Sequence, residues 1–238
     1  MRINKFLSSI GYCSRRAADR LIEEGLVYID DRKAVMGDII EARESIYVRG
    51  DRVGDMSLLE KKETILIAVN KPRGIVCTTT TNDHAPNIVE LINFPTRIYP
   101  IGRLDKDSEG LLLMTNEGEI VNKILRSRYS HEKEYEVTLD RNMLETDIRH
   151  MRRGIYIPEL RTKTKPCEVD RIGECKLRIV LTQGLNRQIR RMCKQLGYDV
   201  VRLKRVRVLN IRLGDLEVGS YRRLGDKEMQ ELLFELGI

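Results

Sequence analysis

The feature that most constrains the fold is a series of short apolar or alternating segments that recurs from residue 63 onward. Such runs, rich in Val, Ile, Leu and Tyr, are typical of β-strands. Segments with helical spacing of apolar residues lie between several of them. This pattern predicts an α+β domain over residues 63–238, with a mixed, largely antiparallel sheet flanked by helices. The predicted strands are TILIAVN, RIYPIG, GLLLMT, KEYEVTL, KLRIVLT and VRVLNIRL.

Residues 1–50 predict a smaller α+β domain of their own. Apolar residues at helix spacing precede Gly11, and Ser14 is a candidate N-cap for a second helix over residues 15–24. The segments LVYID and SIYVRG alternate in the manner of short strands. The polar, weakly patterned stretch 51–62 predicts a linker between this domain and the larger one.

Composition limits the class of protein. The 238 residues include 43 Lys and Arg against 36 Asp and Glu, and the net charge of +7 favours a polyanionic partner. No apolar run approaches the roughly 18 residues of a membrane helix, and the first residues lack the pattern of a secretory signal. The five cysteines are odd in number and far apart, and the three histidines are scattered. We therefore expect a cytoplasmic protein with reduced thiols and no metal site.

The stretch GRLDKDSEG, residues 102–110, places two carboxylates directly before an apolar strand. Asp105 and Asp107 alternate there with the basic residues Arg103 and Lys106. One interpretation is a reactive carboxylate held at the mouth of a site. The other is a polar turn, because Asp and Gly are common in turns. Spacing alone leaves both interpretations open.

Two basic clusters and one tyrosine are further candidates. A basic helix face near a helix N-terminus can bind phosphates, although either cluster could also be an ordinary solvated surface. Tyr135 shares a strand face with Val137, and spacing alone favours a core tyrosine over a functional one. The first cluster comprises the candidate RNA-binding residues Lys5, Ser14, Arg15, Arg16 and Arg20. The second comprises Arg187, Arg190, Arg191 and Lys194, of which Arg187 and Arg191 are the candidate RNA-binding residues.

Together these motifs resemble a known family. The segment INKFLSSIGYCSRRAADRLIEEGLVYIDD resembles the S4-type RNA-binding domain. The motifs NKPRG, IGRLDKDSEGLLLMTNEGE, KEYEV and GLNRQIRRMC occur in the order found in the RsuA/RluB/RluE/RluF family of RNA pseudouridine synthases. The residue sequences of the motifs GRLDKDS, HEKEY and GLNRQIRRMC are most similar to those of the RluF branch. The resemblance covers nearly the whole chain and implies an S4-like domain followed by a pseudouridine synthase domain.

The resemblance also implies a role for most of the candidate residues. Asp105 matches the catalytic aspartate, which must be ionised beside a uridine that has flipped out of the RNA. Arg190 matches its basic partner, because a dry site favours a protonated carboxylate and an arginine opposes this. Tyr135 matches the tyrosine that packs against the uracil. Arg103 matches the arginine that fills the space left by the flipped base or grips a neighbouring phosphate. Asp107 has no matching role and is interpreted as a turn residue or as a residue that supports the lining of the site from behind.

Membership of this family implies isomerisation of a uridine to pseudouridine without cofactor or metal. The expected substrate is structured RNA, with 23S ribosomal RNA or its assembly intermediate first and a tRNA anticodon second. We expect a monomer without a membrane partner. Two alternatives remain: a catalytically idle RNA-binding ribosome-assembly factor, and a metal-dependent hydrolase or nuclease built on Asp105 and Asp107. The first would not need Asp105, Tyr135 and Arg190 together, and the second lacks further acidic ligands at recognisable spacing.

Overall fold

The computed structural model describes residues 1–60, 63–78, 86–125 and 131–238. The chain divides into two units, the first comprising residues 1–65 with 95–97 and 116–118, and the second comprising the remainder. One of the three histidines, His84, lies outside the described residues. Within the described ranges, no helix has the length and apolar character needed to cross a bilayer. The same ranges contain no group of three His, Cys, Asp or Glu side chains arranged to hold a metal ion.

The first unit packs helices against a small antiparallel sheet of strand order β2-β1-β3-β4. Ser14 forms the predicted N-cap, because its hydroxyl accepts a hydrogen bond from the Ala17 amide at 3.1 Å. Gly25 follows the second helix with φ +71°, a left-handed conformation that favours glycine. The elements of this unit are α1 (Ile3–Ser9), α2 (Arg15–Glu23), β1 (Val27–Ile29), β2 (Arg32–Lys33), β3 (Ile46–Val48), β4 (Asp51–Gly54) and α3 (Ser57–Glu60).

The segment predicted as a linker contains regular structure over its described residues. Strand β4 pairs with β3 through a tight reversal at Arg49 and Gly50, both of which have positive φ. Two consecutive left-handed residues are typical of the hairpin turns that match the twist of antiparallel strands. The linker prediction was therefore wrong for residues 51–60. The side chains of β4 are exposed or half-buried, so this edge strand has no apolar alternation that the sequence could reveal.

The second unit is built on one large sheet, which contains nine strands among the described residues. Its main order is β11-β12-β8-β13-β7-β5-β15, with β14 paired to β13 and β6 paired to β7. The pair β13–β7 is parallel and the others are antiparallel, so the predicted mixed, largely antiparallel sheet is confirmed. Its strands are β5 (Leu66–Lys71), β6 (Tyr99–Pro100), β7 (Glu109–Thr115), β8 (Lys133–Leu139), β11 (Glu168–Gly173), β12 (Lys176–Leu181), β13 (Val200–Val208), β14 (Ile211–Arg212) and β15 (Tyr221–Arg223).

Helices and one small hairpin complete the second unit. The hairpin pairs β9 (Tyr156–Ile157) with β10 (Thr162–Lys163), and a short 3-10 helix (Pro158–Leu160) joins the two strands. The buried side chains of α6 and α7 belong to one apolar cluster with β8 and β12, while α5 and α8 belong to a second with β5 and β7. The helices are α4 (Ile88–Ile92), α5 (Gly118–Leu125), α6 (Glu145–Arg152), α7 (Gln188–Gln195) and α8 (Asp226–Leu236).

The parallel junction of β7 and β13 depends on Gly110. This residue lies opposite Arg205 and has φ +99°. A Cβ atom at this position would lie 2.3 Å from the Arg205 carbonyl oxygen. Only glycine therefore lets the two backbones approach this closely. The junction also fixes the point at which residues 102–108 enter β7, which is where the predicted catalytic carboxylate lies.

We predict that Gly110→Ala destabilises the protein more than Gly214→Ala. Both glycines have positive φ, but a Cβ at position 214 would meet no atom within 4 Å. Each variant incurs about 1–2 kcal/mol of left-handed strain. Only Gly110→Ala adds the clash with backbone, at about 1–3 kcal/mol. Urea unfolding of both variants measures the difference, and equal losses would contradict the argument.

Candidate active site

A cavity of about 430 Å³ in the second unit brings four of the predicted residues together. Arg103 and Asp105 line it from the segment before β7, and Tyr135 lines it from β8. Arg187 lines it from the start of α7. Its volume lies within the range of roughly 300–1,000 Å³ that is usual for small-ligand sites. The apolar lining residues are Ile101, Leu104, Leu113, Ile124, Leu125, Leu181, Leu185, Ile189, Leu203 and Val208.

The turn that carries Asp105 is fixed by hydrogen bonds to its backbone carbonyl groups. All four successive carbonyl oxygens of residues 105–108 accept a hydrogen bond. The first accepts from the Ser108 amide at 3.0 Å and the second from the Gly74 amide at 2.8 Å. The third accepts from Arg190 Nη2 at 3.1 Å, and the fourth accepts from Lys71 Nζ at 2.8 Å. Donors from three separate parts of the chain therefore fix the position of the turn.

Lys71 is a functional residue that sequence reasoning missed. Its side chain is fully buried, and its ammonium donates to the carbonyls of Pro72 and Ser108, both at 2.8 Å. Burial lowers the pKa of Lys71, while the negative charges of groups such as Asp105 raise it again. The NKPRG motif was interpreted only as a match to the family. The available signal was a lysine at the end of a strand that begins with the apolar run LIAV, because a lysine in a buried strand has no route to solvent.

Arg187 faces the carboxylates, and Arg190 holds the backbone. Arg187 Nη1 lies 4.0 Å from an Asp105 carboxylate oxygen and 3.8 Å from one of Asp107. Arg190 donates instead to the carbonyls of Val200, at 2.9 Å, and Asp107. The negative charge of Asp105 acts on Arg190 without a hydrogen bond between the two side chains, and the partnership implied by the family resemblance stays a prediction. Residues three apart share a helix face, so spacing could not tell these two arginines apart.

The backbone explains why Arg187 points toward the turn. This residue is the N-cap of α7 and has φ +50°, a left-handed conformation that is uncommon outside glycine, asparagine and aspartate. Its side chain is 41% exposed, so its attraction to the carboxylates contributes little to stability. Strained backbone conformations such as that of Arg187 cluster at functional sites.

Burial lowers the pKa of Arg190, and the neighbouring positive charge of Arg187 lowers it further.

Tyr135 and Arg103 have the exposures that their implied roles need. Tyr135 is half-buried, lies between Ile179 and Arg205 on the neighbouring strands, and packs against the apolar cluster beneath the sheet. Its ring therefore lines the cavity and does not belong wholly to the core. Arg103 is exposed, so its guanidinium can reach a nucleic acid at the cavity.

The basic cluster of the first unit presents three free guanidinium groups. Arg15, Arg16 and Arg20 are exposed, and no carboxylate of the described residues lies within 4.0 Å of them. Lys5 is half-buried. The Ser14 hydroxyl already accepts a hydrogen bond as the N-cap of α2. The three arginines are therefore the strongest candidates for phosphate contacts in this unit.

Arg191, another predicted RNA-binding residue, is largely engaged within the protein. Its guanidinium donates to the backbone and side-chain oxygens of Asn186, at 3.1 and 3.2 Å, and lies 3.4 Å from a carboxylate oxygen of Glu159. Arg191 thus braces the loop before α7, and its role in RNA binding stays a prediction. Arg187 is the arginine of this cluster that faces the cavity.

Comparisons with known proteins agree on the type of protein. The family model described as RNA pseudouridylate synthase matches residues 65–195, and the S4 domain model matches residues 1–35. The chain is 46% identical over 232 residues to the dual-specificity RNA pseudouridine synthase RluF of Escherichia coli strain K12, covering 98% of this chain and 78% of that protein. It is 32% identical to ribosomal large subunit pseudouridine synthase B of Bacillus subtilis, covering 97% and 95%. A crystal structure of a pseudouridylate synthase superposes with a TM-score of 0.70 at 28% identity, covering 98% and 99%. These findings confirm the predicted S4 domain and α+β fold class.

We predict that Arg190→Ala loses most catalytic activity and that raising the pH to about 9 does not restore it. The variant removes the donor to the Asp107 carbonyl, which is a positioning contact that alkaline pH cannot replace. Tritium release from RNA labelled with 5-tritiated uridine measures the activity. Lys194→Ala is the matched control, because it removes an exposed positive charge from the same helix without touching the turn or the loop before α7. Full recovery of the activity of Arg190→Ala at high pH would show that Arg190 acts only through its positive charge and does not position the turn.

Proposed function

The chain belongs to the RNA pseudouridine synthase family, and we propose that it isomerises a uridine of large-subunit ribosomal RNA with Asp105 as the catalytic carboxylate. The observation that carries this proposal is the cavity in which Asp105, Tyr135 and Arg103 meet. The similarity to a ribosomal large subunit synthase supports the choice of RNA. The similarity to a dual-specificity synthase favours a second RNA substrate, for which tRNA is our candidate.

The reaction explains the need for a fixed carboxylate. The bond between uracil N1 and ribose C1′ breaks, the base turns, and C5 bonds to C1′. Asp105 can attack C1′, add to the uracil ring or assist elimination, and each route needs an ionised carboxylate close to the nucleotide. The Asp105 side chain is 34% exposed, so the cavity is open to an incoming nucleotide. The bound RNA then excludes water that would otherwise capture the separated sugar.

The other residues hold the substrate in this proposal. The target uridine flips out of its stack, at a cost of a few kcal/mol that is lower in a loop than in a stem. Tyr135 packs against the uracil and keeps it in the cavity while it turns. Arg103 takes the place of the flipped base or binds a neighbouring phosphate. The arginines of α2 bind the RNA backbone.

The competing interpretations are weaker. A catalytically idle assembly factor would not need a carboxylate and a tyrosine in one cavity. Nor would it need the turn that carries the carboxylate to be held by four hydrogen bonds. A metal-dependent hydrolase would need a cation between Asp105 and Asp107. The Arg187 guanidinium already lies within 4.0 Å of both carboxylates. These two aspartates are therefore arranged around an arginine.

We predict that Asp105→Asn abolishes pseudouridine formation while Asp107→Asn retains substantial activity. Both changes keep the side-chain shape, and turns accept Asn as readily as Asp. Both variants should fold and bind the RNA, because the carbonyls that hold the turn belong to the backbone. Tritium release from 5-tritiated uridine in the RNA measures the reaction. Activity in Asp105→Asn would show that this stretch is an ordinary polar turn. An equal loss of activity in both variants, together with a loss of folding, would lead to the same conclusion.

We predict that Arg15→Glu with Arg16→Glu weakens RNA binding and makes it less dependent on salt. Each phosphate contact releases counterions, so log affinity falls with log salt by roughly 0.7–0.9 per contact. The double variant should therefore show a shallower slope. Arg43→Glu with Arg52→Glu, which makes the same charge change at exposed positions elsewhere in the first unit, is the control. An equal effect of both pairs would point to net charge in place of a specific surface.

A further inference from the structure

Lys133 is a cation of the cavity that the proposed function leaves unused. It lies two residues before Tyr135 on β8, so both side chains point to the same face of the sheet. It is half-buried and lines the cavity. Its ammonium donates one hydrogen bond, to the His131 carbonyl at 3.2 Å. No carboxylate among the described residues lies within 4.0 Å of it.

The surroundings of Lys133 make an unpaired charge costly. Its cross-strand neighbours are Leu181 and Val208, both buried and apolar. A second cation, Arg205, lines the same cavity and is 4% exposed, with Nε donating to the Leu111 carbonyl at 2.7 Å. Burial and, to a smaller extent, the positive charge of Arg205 together lower the pKa of Lys133 to about 8. Two cations without a carboxylate partner favour a ligand that brings negative charge.

The charged groups that line this cavity come from β13, α7 and the segment before β7, as well as from β8 itself. Arg205 lies on β13, and Arg187 lies at the start of α7. Arg103 and Asp105, the one carboxylate among the described lining residues, lie on the segment before β7. His131 precedes β8, and its own pKa is lowered by burial and by Lys133. Among the described groups that line the cavity, positive charge predominates on the strand side.

We propose that Lys133 is a further catalytic residue whose ammonium contacts the uracil and stabilises the negative charge that the base carries once it separates from the ribose. This inference rests on the proposed function. When the N1–C1′ bond breaks, its electron pair stays with the uracil and spreads over N1 and the carbonyl oxygens. When C5 bonds to C1′, that pair forms the new bond. C5 then loses its proton and N1 gains one, so Lys133 is not consumed.

Position favours the uracil over a phosphate as the ligand of Lys133. Tyr135, the residue proposed to pack against the base, shares its strand face, whereas the exposed Arg103 is better placed for the RNA backbone. A donor that is fixed in a dry, apolar setting stabilises charge that develops in the transition state far better than one in water. Lys133 should therefore act on the rate of the reaction more than on RNA affinity.

The test compares Lys133→Met with Lys133→Arg, on large-subunit ribosomal RNA transcribed with 5-tritiated uridine. Lys133→Met should lower kcat by roughly 10²–10³-fold, the loss usual for one transition-state donor. Its KM and the salt slope of its RNA affinity should stay near the wild-type values. Lys133→Arg should restore much of the rate. Above about pH 8 the wild-type kcat/KM should fall as the ammonium deprotonates, whereas Lys133→Arg should keep its rate there.

Other outcomes overturn the inference. A wild-type kcat in Lys133→Met excludes a catalytic role. A raised KM and a salt slope reduced by about one, with kcat unchanged, would identify a phosphate contact. A lowered unfolding midpoint in Lys133→Met and Lys133→Gln, with no rescue by Arg, would make the role structural. Asp105→Asn, which we expect to be inactive, gives the background of tritium release. An inactive wild type would overturn the proposed function itself, and an active wild type with full activity in Lys133→Met would overturn only this inference.

Discussion

The close contact between the backbones of Gly110 and Arg205 is the constraint on which the site depends. It sets the register of β7 against β13 in the parallel pair of the sheet. Arg205 is in turn paired with Tyr135 on β8, and Asp105 lies five residues before Gly110. The pairing of these two strands therefore places the Asp105 carboxylate, Tyr135 and the buried Arg205 at one cavity. A shift of one residue in this register would turn each strand side chain to the other face.

Two of the cations near Asp105 act on backbone oxygens. The buried Lys71 donates to the Ser108 carbonyl, which would otherwise be buried without a partner, and the half-buried Arg190 donates to the exposed Asp107 carbonyl. Arg187, which is more exposed, faces the carboxylate. This division gives the turn a rigid backbone while it leaves the reactive oxygens accessible to substrate. Rigid support beneath an accessible reactive group is what electrostatic preorganisation requires.

The sequence predicted the interior of the fold better than its edges. Strands such as β5 and β7 are buried along their whole length, so their apolar runs were plain. Strands β4 and β15, which expose most of their side chains, have no such pattern. Family resemblance indicated Asp105 and Tyr135. It could not show that Arg187 has a left-handed backbone, which decides which arginine faces the carboxylate. Lysines are usually exposed, so nothing in the pattern marked the buried Lys71 and half-buried Lys133 as parts of the site.

The arrangement of charge in the cavity matches the charge separation of the proposed reaction. Cleavage of the glycosidic bond leaves the ribose short of electrons and the uracil with a surplus. Asp105 approaches from the turn before β7, whereas Lys133 and Arg205 approach from β8 and β13. A carboxylate beside the sugar and cations beside the base stabilise both fragments at once, provided that neither fragment leaves the cavity. In the proposed reaction, the attraction between these cations and the uracil anion would hold the base in the cavity while it turns from N1 to C5.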